Sequence, residues 1–134
     1  CLKIDLWPQL FILGPMIKNI KSSEVKNFIK ENSKTVLIDV RTEEEWKTVG
    51  KPLSDSLGIK TFFITIGQDQ NFIEIVKEKI NKDSQILVMC AAGGRSSIAA
   101  NLLQEEGYNV RNISDGFSGN GQDPGWKNSG LPTE

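Results

Sequence analysis

The sequence contains no histidine among its 134 residues. This absence excludes every site that needs an imidazole from this chain, including Ser-His-Asp triads, Cys-His pairs and histidine-based zinc sites. A nucleophile here must be activated by backbone dipoles, nearby cations or desolvation. We expect the chain to use neither a metal nor a cofactor.

Cysteines are also few, since the chain has only Cys1 and Cys90. Two cysteines do not make the disulfide framework of a small secreted protein, and this favours a reducing, cytoplasmic setting. A chain of 134 residues is long enough to bury one hydrophobic core without covalent crosslinks. We therefore expect a single domain.

The sequence lacks both an excess of one charge and any long apolar run. It has 16 basic and 17 acidic side chains, a net charge of -1, which gives no electrostatic reason to expect nucleic acid or an anionic membrane as a partner. The apolar run "LFILG" is far shorter than the roughly 18 residues of a membrane-spanning helix. We predict no contact with nucleic acid or membrane, and we favour a monomer.

The first methionine is Met16, and it opens "MIKNIKSSEVKNFI", which is typical of the start of a domain. We therefore predict an N-terminal extension over residues 1–15 and a folded domain over residues 16–134. A chain that begins at Met16 is expected to fold.

Apolar strands alternate with amphipathic helices along the rest of the chain. The predicted strands are 34–40, 61–66, 85–89 and 109–113, and the predicted helices begin at Ser22 or Ser23, at Thr42 with its capping-box partner Glu45, at Asn71 and at Ser96. Because the strands are apolar on both faces, we predict an α/β domain with a parallel sheet between two layers of helices.

Cys90 stands at a corner between a strand and a helix. The segment "AAGGRS" that follows it holds two glycines, which permit positive φ angles, and leads into a helix whose N-terminus favours an anion. Arg95 adds a permanent cation, and together these features lower the pKa of a thiol. Asp39 is predicted at the same edge of the sheet, where ligands bind in such folds. The alternative is that Cys90 is a small buried hydrophobic residue.

Several motifs resemble those of single-domain rhodanese-like sulfurtransferases. They are "LIDVRTEEEW" at 37–46, "VMCAAGGRSSIAANLLQEEGYNV" at 88–110, "DGF" at 115–117 and "GWKNSGLP" at 125–132. The resemblance implies a rhodanese-like fold, with a central, mainly parallel five-stranded sheet flanked by helices on both faces. It also implies a cysteine that takes a sulfane sulfur from a donor as a persulfide and passes it to a thiol, cyanide or another acceptor.

Individual positions carry this resemblance further. Cys90 matches the sulfur-carrying cysteine, and the active-site loop around the sulfur would consist of Ala91, Ala92, Gly93, Gly94, Arg95 and Ser96. The resemblance implies that Asp39 braces this loop and that Arg41 pairs with a nearby glutamate such as Glu45. We expect Ser96 to cap the following helix and to donate to the sulfur.

Two other functions stay open. Cysteine-dependent phosphatases use a similar loop, but with five residues between cysteine and arginine where this chain has four; such an enzyme would also need an acid, for which Asp115 and Asp123 are candidates. The fold could also serve as a sulfur carrier or protein-binding module without turnover.

The sequence departs from the family pattern at three places. Ala91 and Ala92 are uncharged where members that are efficient with thiosulfate often carry basic or polar side chains, which favours a persulfide donor. The usual Gly-His-Ile segment is replaced by "GKPLSDSLGIK", and "FSGNGQDPG" lengthens the tail and is predicted to form a rim over Cys90. The predicted partners are a small-molecule or protein sulfur donor and a thiol acceptor.

Overall fold

Five parallel strands form the central sheet of the protein, whose computed structural model describes residues 16–67 and 71–134. The strands are β1 (Lys18–Ile20), β2 (Thr35–Asp39), β3 (Lys60–Phe63), β4 (Gln85–Met89) and β5 (Asn109–Ile113), and their order in the sheet is β1-β5-β4-β2-β3. This sheet confirms the predicted α/β class. The predicted N-terminal extension, residues 1–15, lies outside the described residues.

Helices connect the strands. They are α1 (Val25–Glu31), α2 (Glu43–Thr48), α3 (Phe72–Lys79) and α4 (Gly94–Glu105), with 3-10 turns at Ser22–Glu24, Ser54–Leu57 and Trp126–Asn128. Within the described part of the chain, no helix has the length and apolar character needed to cross a membrane.

The core has two halves, one on each face of the sheet. Leu37 of β2 and Leu87 of β4 belong to one buried cluster, and their neighbours Ile38 and Val88 belong to the other. Successive side chains of a strand point to opposite faces, so both faces of the central strands are buried. This explains why these strands read as continuous apolar runs rather than alternating ones.

Two predicted helix starts are wrong. Ser22 does not cap α1, because its backbone N–H and its hydroxyl group both donate to Asp115 Oδ1 at 2.9 Å, and it lies in a 3-10 turn instead. Helix α4 begins at Gly94, two residues before Ser96, with Gly93 as its N-cap. The capping box of Thr42 and Glu45 at the start of α2 is confirmed.

The sheet register brings the candidate residues together. β2 and β4 are neighbours, and Asp39 at the end of β2 is aligned with Met89 at the end of β4. Cys90 follows Met89 directly, and α4 begins four residues later. Asp39 and Cys90 therefore lie at the carboxyl edge of adjacent central strands, as predicted.

Candidate active site

The sulfur of Cys90 is surrounded by hydrogen-bond donors. The Gly93 N–H donates to Sγ at 3.1 Å, and the Ser96 hydroxyl oxygen lies 3.4 Å from Sγ. Burial raises the pKa of the thiol, but hydrogen bonds from Ser96 and from the amides of Ala92 and Gly93 outweigh it, so the pKa is below its ordinary value. The loop therefore favours the thiolate, the nucleophilic form of cysteine.

Gly93 and Gly94 are not equivalent. Gly93 has a φ of 104°, and a Cβ there would collide with the backbone carbonyl of Ser114. Its missing side chain is what lets its N–H turn toward the sulfur while the loop stays packed against the end of β5. A Cβ at Gly94 would meet no atom within 4 Å.

Arg95 is held by a carboxylate from another helix. Its guanidinium makes two parallel hydrogen bonds of 2.8 Å to Glu45, a residue of α2 that also accepts hydrogen bonds from the backbone N–H and hydroxyl groups of Thr42. The hydrogen bond from Arg95 lowers the pKa of Glu45 to about 2, and the same bond raises the pKa of Arg95. The start of α4 is thereby tied to α2.

Arg41 does not pair with Glu45, and that prediction was wrong. Its Nε and Nη2 atoms donate to the Asp39 carboxylate at 2.9–3.2 Å, and Nη2 also donates to the Gly50 carbonyl at 2.9 Å. Arg41 precedes α2 and its side chain points into the core, where it lies 4.2 Å from the ring centre of Phe117. Glu45 lies on the helix and faces Arg95 instead.

Asp39 is linked to the loop by contacts through two other residues and by its charge. Its carboxylate accepts hydrogen bonds from Arg41, including the Arg41 backbone N–H at 3.1 Å. Arg41 stacks on Phe117, and the Phe117 N–H donates to the carbonyl of Cys90 at 2.8 Å. The negative charge of Asp39 also acts on Arg95, whose pKa it helps to raise.

The segment after β5 forms a second wall of the loop. Phe117 and Ser118 donate their N–H groups to the carbonyls of Cys90 and Ala91 at 2.8 and 2.9 Å. A Cβ at Gly116 would lie less than 3 Å from those same two carbonyls, so only glycine fits there. The predicted rim "FSGNGQDPG" starts here, and its first residues contact the loop backbone; its effect on access stays a prediction.

Ser96 lies inside α4 rather than at its cap. Its side chain is fully buried, and besides facing Cys90 it donates to Asn112 Oδ1 at 2.5 Å. Asn112 was missed in the sequence, because β5 contains three polar residues and nothing in its pattern marks Asn112 as the buried one.

Asp115, one of the two candidates for the acid that a phosphatase would need, already accepts hydrogen bonds from within the protein. Its buried carboxylate accepts hydrogen bonds from the N–H and hydroxyl groups of Ser22 and from the Gly125 N–H, each at 2.9 Å. Asp123, the other candidate, lies 3.7 Å from the ammonium group of Lys21. Over residues 16–67 and 71–134, no cluster of acidic or cysteine side chains is suited to a metal ion.

Comparison with known proteins agrees with this geometry. The family model described as "Rhodanese-like domain" matches residues 21–122. An uncharacterized protein of Rickettsia prowazekii is 44% identical over 87% of this chain and 97% of its own length. Thiosulfate sulfurtransferase 18 of Arabidopsis thaliana is 31% identical over 72% of this chain and 79% of its own.

A solved structure shows the same fold. The crystal structure of a protein from M. tuberculosis has a TM-score of 0.79 and 28% identity, and the match covers 90% of this chain and 98% of that one. The resemblance that the motifs predict is thus confirmed, and the chain belongs to the rhodanese-like domain family.

Proposed function

We propose that this protein is a sulfurtransferase that carries a sulfane sulfur on Cys90. The observation that supports it most is the donor set around the sulfur, with the Gly93 N–H at 3.1 Å and the Ser96 hydroxyl oxygen at 3.4 Å. Such donors stabilise the Cys90 thiolate, which attacks the donor and is restored when the sulfur leaves. Relatives that bear the name sulfurtransferase support the same reaction.

The reaction has two displacement steps. The Cys90 thiolate attacks the sulfane sulfur of the donor, an S–S bond to Cys90 forms, and the bond to the rest of the donor breaks with its electron pair, releasing sulfite or a thiolate. An acceptor thiolate or cyanide then attacks the outer sulfur, and the Cys90 thiolate is restored. The loop amides face negative charge in every state.

The surroundings of the loop favour a persulfide over thiosulfate as donor. The loop side chains between Cys90 and Arg95 are two alanines and two glycines, and the charge of Arg95 is compensated by Glu45. A thiosulfate dianion gains little from such a loop. A depression of about 360 Å³ beside Arg95 is lined in part by Ile66 and Ile98, which suits the carbon skeleton of an organic or protein persulfide.

A sulfur carrier or binding module without turnover is the second candidate. The test is to treat the protein with thiosulfate and, separately, with a low-molecular-weight persulfide, and to measure the intact mass. We expect one added sulfur atom, formed more readily from the persulfide and absent in Cys90→Ser.

Two results would contradict the proposal. If neither donor adds a sulfur atom, a binding module is the better account. If the protein hydrolyses a phosphate ester and Cys90→Ser does not, a phosphatase is the better account, despite the short loop and the occupied Asp115.

A two-cysteine chain favours a reducing, cytoplasmic setting for this chemistry.

A further inference from the structure

Asn112 is a polar residue buried in β5, with 3% of its surface exposed. An amide in such a place costs free energy unless it is hydrogen-bonded. Its Nδ2 group donates to Asn19 Oδ1 at 3.1 Å and to the Gly93 carbonyl at 3.2 Å, and its Oδ1 accepts from the Ser96 hydroxyl at 2.5 Å. Both amide hydrogens and the carbonyl oxygen are therefore engaged.

Two of these three bonds lead to the sulfur of Cys90. The Gly93 residue that accepts from Asn112 donates its own N–H to Sγ at 3.1 Å, and the Ser96 hydroxyl that Asn112 binds lies 3.4 Å from Sγ. Asn112 is thus linked to the sulfur by two independent routes through its neighbours in the loop.

We propose that Asn112 is a positioning residue of the Cys90 site, which holds Gly93 through its carbonyl group and holds the Ser96 hydroxyl, so that the Gly93 N–H and the Ser96 hydroxyl can bind the sulfur. The proposal deepens the proposed function and rests on it for its purpose. The reactivity of the thiol can nevertheless be measured without any sulfur donor.

The Ser96 hydroxyl lies between Asn112 and the sulfur. The two acceptors of Nδ2 fix the orientation of the amide, so Oδ1 faces Ser96. The bond to Oδ1 keeps the hydroxyl oxygen 3.4 Å from Sγ, within reach of a thiolate. Without Asn112 the hydroxyl is no longer held at this place.

The charged groups around Cys90 stay in place when Asn112 is changed. Arg95 interacts electrostatically with Cys90 and is paired with Glu45, and the buried Asp39–Arg41 pair lies behind it. If the reactivity of Cys90 depends differently on pH in an Asn112 variant, the change therefore reports on the hydrogen bonds of Asn112.

The test measures how fast iodoacetamide alkylates Cys90 across a range of pH, with the modified peptide identified by mass spectrometry because the chain has a second cysteine, Cys1. Asn112→Leu has a side chain of similar size that makes none of the three hydrogen bonds. In this variant we expect the pH midpoint of the Cys90 alkylation rate to rise and the rate at pH 7 to fall about three- to tenfold. Asn112→Ala, which removes the same three hydrogen bonds without adding a charge, should shift the midpoint in the same direction, and it serves if the leucine variant does not fold.

The matched control is Thr35→Val in β2. Thr35 is 4% exposed and donates to the Asn32 carbonyl at 2.6 Å, so its replacement also removes a buried hydrogen bond. We expect this variant to lose stability and keep the alkylation midpoint. Ser96→Ala combined with Asn112→Leu should slow the reaction less than the product of the two single effects, because both act through one hydroxyl.

A midpoint in folded Asn112 variants equal to that of Thr35→Val would overturn this proposal and leave Asn112 a structural residue. A raised midpoint in a protein that accepts no sulfur would overturn the proposed function alone. The two failures are therefore distinguishable.

Discussion

The Arg41–Asp39 pair and the Arg95–Glu45 pair have the same chemistry and opposite surroundings. The side chains of Arg41 and Asp39 are 1% and 0% exposed, and the two residues lie two positions apart in the chain. Arg95 and Glu45 are 40% and 26% exposed and lie 50 residues apart. One pair is locked inside the core, and the other joins two helices beside the candidate active site.

This difference separates stability from reactivity. Two charges removed from water need each other, since loss of either partner leaves a buried charge uncompensated. A half-exposed pair contributes at most about 1 kcal/mol to stability. The exposed pair affects reactivity instead, because it holds the positively charged Arg95 in place in the cysteine loop.

The largest expected effect is on the buried pair. Arg41→Met leaves the Asp39 carboxylate buried without its partner and removes the donor to Gly50, so the free energy of unfolding should fall by about 3–5 kcal/mol. Chemical denaturation measures this. Lys34→Met, which breaks an ion pair whose side chains are 67% and 63% exposed, is the control and should lose less than about 1 kcal/mol. Similar losses in both variants would contradict the contrast.

Lysine at each arginine position compares the two pairs directly. Arg41→Lys keeps the charge but loses the double hydrogen bond and the stacking on Phe117, and should cost about 1–3 kcal/mol. Arg95→Lys can still reach a carboxylate in a partly solvated place and should cost about 0–1 kcal/mol. Equal costs in denaturation would show that burial does not separate the pairs.

The exposed pair should affect reactivity rather than stability. Arg95→Gln removes a cation that interacts electrostatically with Cys90 and leaves Glu45 uncompensated, so the pKa of Cys90 should rise and alkylation at pH 7 should slow about two- to threefold. Lys77→Gln breaks a comparably exposed pair between α3 and Glu106, the residue that follows α4, and should leave the rate unchanged. If Arg95→Gln is alkylated as fast as this control, Arg95 does not stabilise the Cys90 thiolate.

The smallest expected effect is the pH dependence of the exposed pair. The pKa of Glu45 is about 2 in the folded state, below the roughly 4.3 of an unfolded chain, so folded Glu45 binds fewer protons. Its contribution to stability is therefore complete above about pH 4.3 and is lost as the pH falls toward 2. The stability difference between the natural protein and Glu45→Gln should be about 1 kcal/mol or less at pH 6 and should shrink in acid. A difference that grows in acid would contradict this assignment.

Much of the fold could be predicted because its signals are local. β4 and β5 have the predicted bounds. The apolar run after Gln85 defines β4, and the turn residue Gly107 and the alternation of Val110 with polar neighbours mark β5. The capping box of Thr42 and Glu45 follows from a spacing of three residues. β3 ends at Phe63, three residues before the end of the predicted strand 61–66. Beyond Phe63 the regular strand pairing stops, although Ile64 and Ile66 still donate N–H groups to the carbonyls of Asp39 and Val40.

The partners of the arginines could not be read from spacing. The family resemblance implies a pair of Arg41 with a glutamate such as Glu45, but Arg41 lies before α2 and faces the core. Glu45 meets Arg95 only because β2 and β4 are neighbours in the sheet. Asn112 was missed for the same reason, since its bonds cross from β5 to the cysteine loop.

The most direct test of the account follows one labelled sulfur atom through the protein. A persulfide donor with isotopically labelled sulfane sulfur is used to load the protein, the donor is removed, and a thiol acceptor is added. We predict that the label appears on the acceptor in an amount equal to that lost from Cys90, and that Cys90→Ser transfers none. Label that stays on the protein, or that reaches the acceptor equally with Cys90→Ser, would contradict transfer through Cys90.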